Sequence, residues 1–190
     1  MVPASASLRP FLLISGIPGS GKSTLAHKLA SALVLPVIDK DEILERLFET
    51  KGVGDAAWRQ ALSRESDNIL IDEAEASKGA ILVSFWRVPG MARDSGTPTD
   101  WLASLHDCVV NLHCSCDPEV AARRFLQRKR HAGHLDGERS YPQLLENFRE
   151  LALLKPLEIR TRVCVDTAQE PNLTSLAREI RQALGPAAPG

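Results

Sequence analysis

Residues 16–23 read Gly-Ile-Pro-Gly-Ser-Gly-Lys-Ser, and this octapeptide limits the possible folds more than any other part of the chain. It meets the pattern G-x-x-x-x-G-K-[ST] at Gly16, Gly21, Lys22 and Ser23. The apolar run Phe11 to Ser15 precedes it, and a run with Leu25, Leu29, Ala32 and Leu33 at helical spacing follows. Strand, glycine-rich turn and helix in that order let backbone N–H groups point inward at an anion, with the positive end of the helix dipole aimed at the same place. Lys22 is placed to reach β- and γ-phosphate oxygens, and the Ser23 hydroxyl to ligate Mg²⁺. Gly16, Ile17, Pro18, Gly19, Ser20, Gly21, Lys22, Ser23 and Thr24 are the expected nucleotide-phosphate residues. The competing reading, a glycine-rich turn without a ligand, is disfavoured by the flanking strand and helix.

The bulk properties set few other limits. In 190 residues, 44% are apolar and 25% charged, as in ordinary globular domains. Twenty-three basic residues against 24 acidic ones give a net charge of −1, which disfavours nucleic acid and anionic membrane as partners. Cys108, Cys114, Cys116 and Cys164 lack zinc-site spacing and read as the buried thiols of a reduced intracellular protein. No apolar stretch approaches the roughly 18 residues of a membrane span, and the N-terminus has no signal-peptide core, so a cytoplasmic protein is expected. One domain over residues 1–190 is expected, with frayed arms at about 1–9 and 186–190. The oligomeric state is left between monomer and weak dimer.

Along the chain, strands are expected at Phe11–Ser15, Val34–Ile38, Ala80–Trp86, Cys108–Cys114 and Thr161–Asp166. Helices are expected at Ser23–Leu33, Glu42–Glu49, Pro118–Arg130, Pro142–Leu153 and Leu173–Leu184. Alternating strands and helices imply an α/β fold, a parallel sheet covered on both faces. Asn68 to Glu73 reads Asn-Ile-Leu-Ile-Asp-Glu and resembles the acidic strand of mechanical ATPases. The better strand at Ala80 begins seven residues after Glu73, too soon for the crossover of a dozen or more residues between parallel strands. The region between Ala56 and Lys78 is therefore read as one long helix.

GTPases need an Asn-Lys-x-Asp base reader, which is absent, and the crossover argument weakens the mechanical ATPase. A small-molecule kinase using ATP and Mg²⁺ needs an acid after the second strand, an acceptor pocket and a basic lid. Asp39 and Asp41 are the acids, one of them to orient or deprotonate a hydroxyl, with Asp39 also a candidate to hold Mg²⁺ with Ser23. The plain alternatives are that Asp41 caps a helix beginning at Glu42 and that Asp39 is a solvated strand end. The lid is read at about residues 124–140, where Arg124, Arg128 and His131 share a helical face and Arg123, Arg130 and His134 add charge. Its alternative is an ordinary solvated basic helix end. For the acceptor, a small hydroxylated molecule, Arg87 and Trp86 close the third strand, with Arg64 and Trp58 as further candidates. Core packing for Trp86 and a surface position for Arg87 are equally open.

The phrases GIPGSGKST, VIDKDEI, RKRHAGHLD and VCVDTAQEPNLTSLAREI together resemble small bacterial P-loop kinases, a group related to the zeta-toxin, polynucleotide 5′-kinase, gluconate kinase and shikimate kinase families. The resemblance spans about Phe11 to Leu184. It implies a five-stranded parallel sheet of order 2-3-1-4-5, with ATP at the loop. It implies Asp41 as the acceptor-activating residue, matching the catalytic aspartate of the R-D-D segment in polynucleotide kinases. Lys22, Arg124 and Arg128 become residues of the transfer itself, and Asp166 and Thr167 lie near adenine. Two departures count. Leu44 stands where polynucleotide kinases carry arginine, which argues against a nucleic-acid end as acceptor. Ser84-Phe85-Trp86-Arg87 ends the third strand without an acid, which leaves the Mg²⁺ site to Ser23 and waters. A nucleotide switch without acceptor and a toxin-like or polynucleotide-end kinase are the alternatives.

Overall fold

The most apolar segment lies at the centre of the sheet. In the computed structural model, which describes residues 8–105 and 108–185, β1 (Pro10–Ser15) has Phe11, Leu12, Leu13 and Ile14 fully buried. A strand covered on both faces reads as a continuous apolar run rather than an alternating one. The remaining strands are β2 (Val37–Asp39), β3 (Ala80–Val83), β4 (Cys108–Ser115) and β5 (Thr161–Asp166). All four pairings are parallel and the order is β2-β3-β1-β4-β5, as the resemblance implies.

The helices are α1 (Lys22–Leu33), α2 (Lys40–Lys51), α3 (Ala56–Ala76), α4 (Pro118–Gln127), α5 (Tyr141–Leu153) and α6 (Leu173–Leu184). One face of the sheet packs Leu12, Ile14, Ile81, Leu112 and Val163 against Leu25 and Leu29 of α1 and Leu176 and Ile180 of α6. The other packs Phe11, Leu13 and Leu82 against Ile43 of α2 and Leu70 and Ala74 of α3, with Trp86, Leu102 and Leu157 completing the layer. Helix α3 contains the whole Asn68–Glu73 segment, so its Asp72 and Glu73 lie on a helix and not at a strand end.

Several boundaries differ from the sequence reading, each for a local reason. Val34 takes left-handed angles (φ 56°, ψ 43°) as the residue that closes α1, which delays β2 to Val37. Helix α2 starts at Lys40 because the Asp39 carboxylate accepts from Asp41 N at 2.8 Å. Asp39 is thus the cap, and Asp41 sits in the first turn. Strand β3 ends at Val83; beyond it, Trp86 bridges to Thr97 and the chain folds back. Helix α4 ends at Gln127, because Arg128 leaves helical angles (φ −70°, ψ 139°). Arg124, Arg128 and His131 therefore do not share a helical face. Most of the expected frayed arms falls outside the described residues, but Arg9 is held, donating to Glu75 O at 2.8 Å and Ser77 O at 3.1 Å. Among the described residues, no helix is long and apolar enough to cross a membrane.

Candidate active site

The turn between β1 and α1 is shaped by close approach. Gly19 has φ 80°, and a Cβ there would lie 2.2 Å from Ala121 O of α4, so no side chain fits. Gly21 takes left-handed angles (φ 85°, ψ 19°) as the residue that starts α1, a conformation that favours glycine. The Lys22 ammonium folds back onto the loop, donating to Gly16 O at 2.9 Å and Ile17 O at 3.0 Å. Burial lowers its pKa, opposed by Cys114, Asp41 and Asp39. Pro18, Gly19, Gly21, Lys22, Ser23 and Thr24 line a cleft of about 1040 Å³. Gly16 and Ser20 support the loop from behind, Ser20 fully buried with its hydroxyl unpartnered, and Ile17 packs against the α4–α5 cluster.

Asp39 is buried at 3% exposure, not solvated, and lies at the floor of the cleft beside Ser23. Its Oδ1 caps α2, while Oδ2 is buried without a hydrogen-bond partner. Burial lifts its pKa to about 6, against the opposing pull of the nearby Ser23 hydroxyl and the Asp41 N–H. A buried carboxylate oxygen without a proton donor, next to a hydroxyl and a phosphate cradle, suits a hard cation completed by waters and phosphate oxygens. Among the described residues, no group of three or more His, Cys, Asp or Glu side chains could hold a metal without such help.

This environment has a measurable consequence. The folded carboxyl binds a proton up to about pH 6 and the unfolded one only to 3.8, so stability falls as pH rises through that window. Ionised Asp39 costs on the order of 3 kcal/mol. Asparagine keeps the cap on Asp41 N. Asp39→Asn should therefore raise the melting temperature of the nucleotide-free protein at about pH 7.5, by several degrees at roughly 2–4 °C per kcal/mol, and narrow its difference from about pH 5. Calorimetry at the two pH values checks this; a variant less stable at the higher pH would contradict it.

Asp41 faces the segment read as a lid. Arg130 Nη2 contacts its Oδ2 at 2.6 Å. Burial alone would raise Asp41, but Arg130, His134, Arg128 and Lys22 outweigh it and hold the carboxyl below its usual range. Of the other lid residues, Arg128 lines the cleft and stacks 3.9 Å from the Phe125 ring centre. Arg124 lines the cleft as well, and its Nη1 and Nη2 donate to Thr167 O at 2.7 Å and Ala168 O at 3.2 Å, tying the turn after β5 to α4. Asp166 and Thr167 build that same turn, through Asp166 Oδ1 on Ala168 N and the Thr167 hydroxyl on Ser115 O. Neither lines the cleft.

The candidates read for the acceptor lie mostly outside this cleft. Trp86 is core, 3% exposed, donating from Nε1 to Ile14 O at 2.9 Å. Arg87 braces the return loop, its Nε and Nη2 on Ser95 O and Gly96 O, and does not line the cleft. Arg64 is exposed and also lies outside it. Trp58 donates to Gly52 O. The cleft is lined further by Lys40, Glu45, Arg59, Ser63, Ser84, Asp94, Asp136 and Arg139. Lys40 pairs with buried Asp67 at 2.6 Å, and Thr97 joins Asp67 to Ser84 through bonds of 2.7 and 2.6 Å. Arg59 Nε donates to His134 O at 2.9 Å.

A phosphate cradle at the first turn of a parallel sheet of this order defines a P-loop nucleotide-binding fold. Residues 11–151 match the AAA_33 family, described as an AAA domain, and the chain belongs to that family. It is 35% identical to shikimate kinase of Corynebacterium glutamicum over 75 residues, 39% of this chain and 44% of the relative. It is 31% identical to cytidylate kinase of Ignicoccus hospitalis over 121 residues, 62% of this chain and 63% of the relative. These matches span about half the length of the curated relatives. A crystal structure from Chloroflexus aurantiacus, provisionally named a kinase, has a TM-score of 0.77 at 25% identity and covers 95% of this chain and 98% of that one. Shikimate kinase of Bacteroides thetaiotaomicron shares the fold, at a TM-score of 0.56 and 20% identity over 92% and 98% of the two chains. The resemblance to P-loop kinases drawn from the residues is thus borne out.

Proposed function

We propose that the protein is an ATP- and Mg²⁺-dependent phosphotransferase that moves the γ-phosphoryl group to a hydroxyl of a small molecule. The observation that carries this reading is a single cleft with the Lys22 cradle, the Ser23–Asp39 pair and the Asp41–Arg130 pair on its walls. In this reading the Lys22 ammonium exchanges the carbonyls of Gly16 and Ile17 for β- and γ-phosphate oxygens. Ser23 and Asp39 are the residues that would hold Mg²⁺, which would supply positive charge against the charge developing in transfer. Asp41 accepts a hydrogen bond from the acceptor hydroxyl. The hydroxyl oxygen bonds to the γ-phosphorus, the bond to the β–γ bridging oxygen breaks, and the proton passes to the Asp41 carboxylate. Arg128 and Arg130 face the group in flight, in a cleft from which closure expels water.

Relatives named shikimate kinase and cytidylate kinase support a small-molecule acceptor. A coupled assay of ADP release over a panel of polyols, sugar acids, nucleosides and nucleoside monophosphates tests the reading. The expected result is turnover that depends on one hydroxylated acceptor. Turnover on a nucleoside monophosphate moves the acceptor atom from hydroxyl to phosphate. ATP hydrolysis that ignores every acceptor and survives Asp41→Asn makes the protein an ATPase instead.

A further inference from the structure

Two lid arginines converge on one carboxylate that stands apart from the phosphate cradle. Asp136 opens the short turn Asp136–Glu138, directly after Leu135, a non-glycine residue in the left-handed region (φ 56°, ψ 32°). Such a conformation costs on the order of 1 kcal/mol and persists only where its surroundings impose it. Here they do. Gly133 lies flat on the Phe48 ring, where a Cβ would come within 2.6 Å. His134 is 1% exposed, meets Phe48 edge-on and hydrogen-bonds Glu45 at 2.9 Å. Arg59 holds the His134 carbonyl. The turn is thus pinned to α2 and α3, and Asp136 is delivered to a fixed place.

From there its Oδ2 accepts from Arg128 Nη2 at 3.3 Å and Arg130 Nη1 at 3.0 Å. The other amino group of Arg130 lies 2.6 Å from Asp41. Two guanidinium groups this close repel, and a shared carboxylate is what lets them stand side by side. Arg128 also carries a buried Nε–H with no acceptor, in a side chain that lines the cleft. A buried unsatisfied donor costs about 1–3 kcal/mol, a cost that an incoming phosphoryl oxygen would relieve.

We propose that Asp136 is a positioning residue that gathers Arg128 and Arg130, aiming one at the transferring phosphoryl group and the other at Asp41. What the arginines act on rests on the phosphotransferase reading. The geometry makes Asp136, itself on the cleft wall, the link between lid docking and the two ends of the transfer.

Titration calorimetry of the full chain with ADP and Mg²⁺, with and without fluoroaluminate as a mimic of the phosphoryl group in flight, tests this without knowledge of the acceptor. Wild-type protein should bind ADP more tightly when fluoroaluminate is present. Asp136→Asn should bind ADP alone within about twofold of wild type but lose roughly tenfold of that enhancement, about the value of one charge-assisted contact. Asp136→Glu, which keeps the charge, should restore most of it. Asp136→Ser should repeat the loss and serves if the asparagine variant does not fold. An enhancement unchanged in Asp136→Asn overturns the inference alone, and so does a glutamate variant no better than asparagine. Wild-type protein that binds no ADP overturns the phosphotransferase reading and the inference with it.

Discussion

Lys22→Ala should lower kcat/KM for ATP by about 10³-fold or more while leaving the fold intact. Transferring-phosphate charge is met by few groups in such a cleft, and removing one preorganised donor costs roughly 10²–10³ in rate. Lys22 also carries a full charge, and it follows a loop in which position 19 admits only glycine, since a Cβ there would lie 2.2 Å from Ala121 O. Stability should respond far less, because two opposing effects are removed together. The bonds to Gly16 O and Ile17 O are lost, each worth about 1.5–3 kcal/mol for a charged donor. Lost with them is the cost of a buried ammonium, the same burial that lowers the Lys22 pKa. Calorimetric melting alongside steady-state kinetics separates the two. A variant that retains activity within threefold or so would remove the loop from the chemistry.

The order of elements was legible because it is written in local signals. The loop, the apolar β1, and the spacing that forbids a strand at Asn68–Glu73 beside one at Ala80 all lie within a few tens of residues. The place of the loop followed directly, and so did that of Asp39 and Asp41 on the cleft wall. What failed were side chains whose partners are distant in sequence. Arg59 meets the His134 carbonyl across 75 positions, and Lys40 meets Asp67 at 2.6 Å through the packing of α2 on α3. Arg64 was a candidate on α3, but five residues turn a helix by about 140°, so Arg59 and Arg64 cannot share a face. A signal was present: Leu62, Ser66, Leu70 and Ala74 are buried at four-residue steps, and Arg59 continues that stripe while Arg64 does not. The loop after β3 carried no such signal. Arg87 looked free because its acceptors, Ser95 O and Gly96 O, are backbone atoms of a return that only folding creates.

Electrostatics link these distant groups into one device. Arg130 reaches Asp41 and Asp136 together, so the lid is docked on the carboxylate read as acceptor-activating. Its docking also uses Phe48, stacked on His131 at 5.3 Å. The acid of α2 and the base of the lid therefore form one unit, and a change in either is felt by both.

Asp41→Asn tests that unit at its centre. The substitution keeps shape and removes charge, and kcat should fall by about 10²–10⁴, the range that a positioned base contributes, while KM for ATP stays within a few-fold. The split follows from position: Asp41 lies in the first turn of α2 and is no part of the loop between β1 and α1. The cations around Asp41 also set its pH behaviour. Arg130 and its neighbours outweigh burial and keep the carboxyl ionised below its usual range. A depressed pKa means the charged form is present throughout neutral and mildly acidic pH and is lost only as pH falls through the folded value, so Asp41 itself should leave kcat flat between about pH 6 and 8. The same depression makes it a weak base, so proton transfer comes late and orientation of the hydroxyl carries most of the effect. Asp41→Glu retains the charge but moves it by one methylene, and should recover only part of the rate. Acceptor-dependent kcat measured for both variants decides the matter: asparagine at wild-type rate would show that the Arg130 pair serves docking alone.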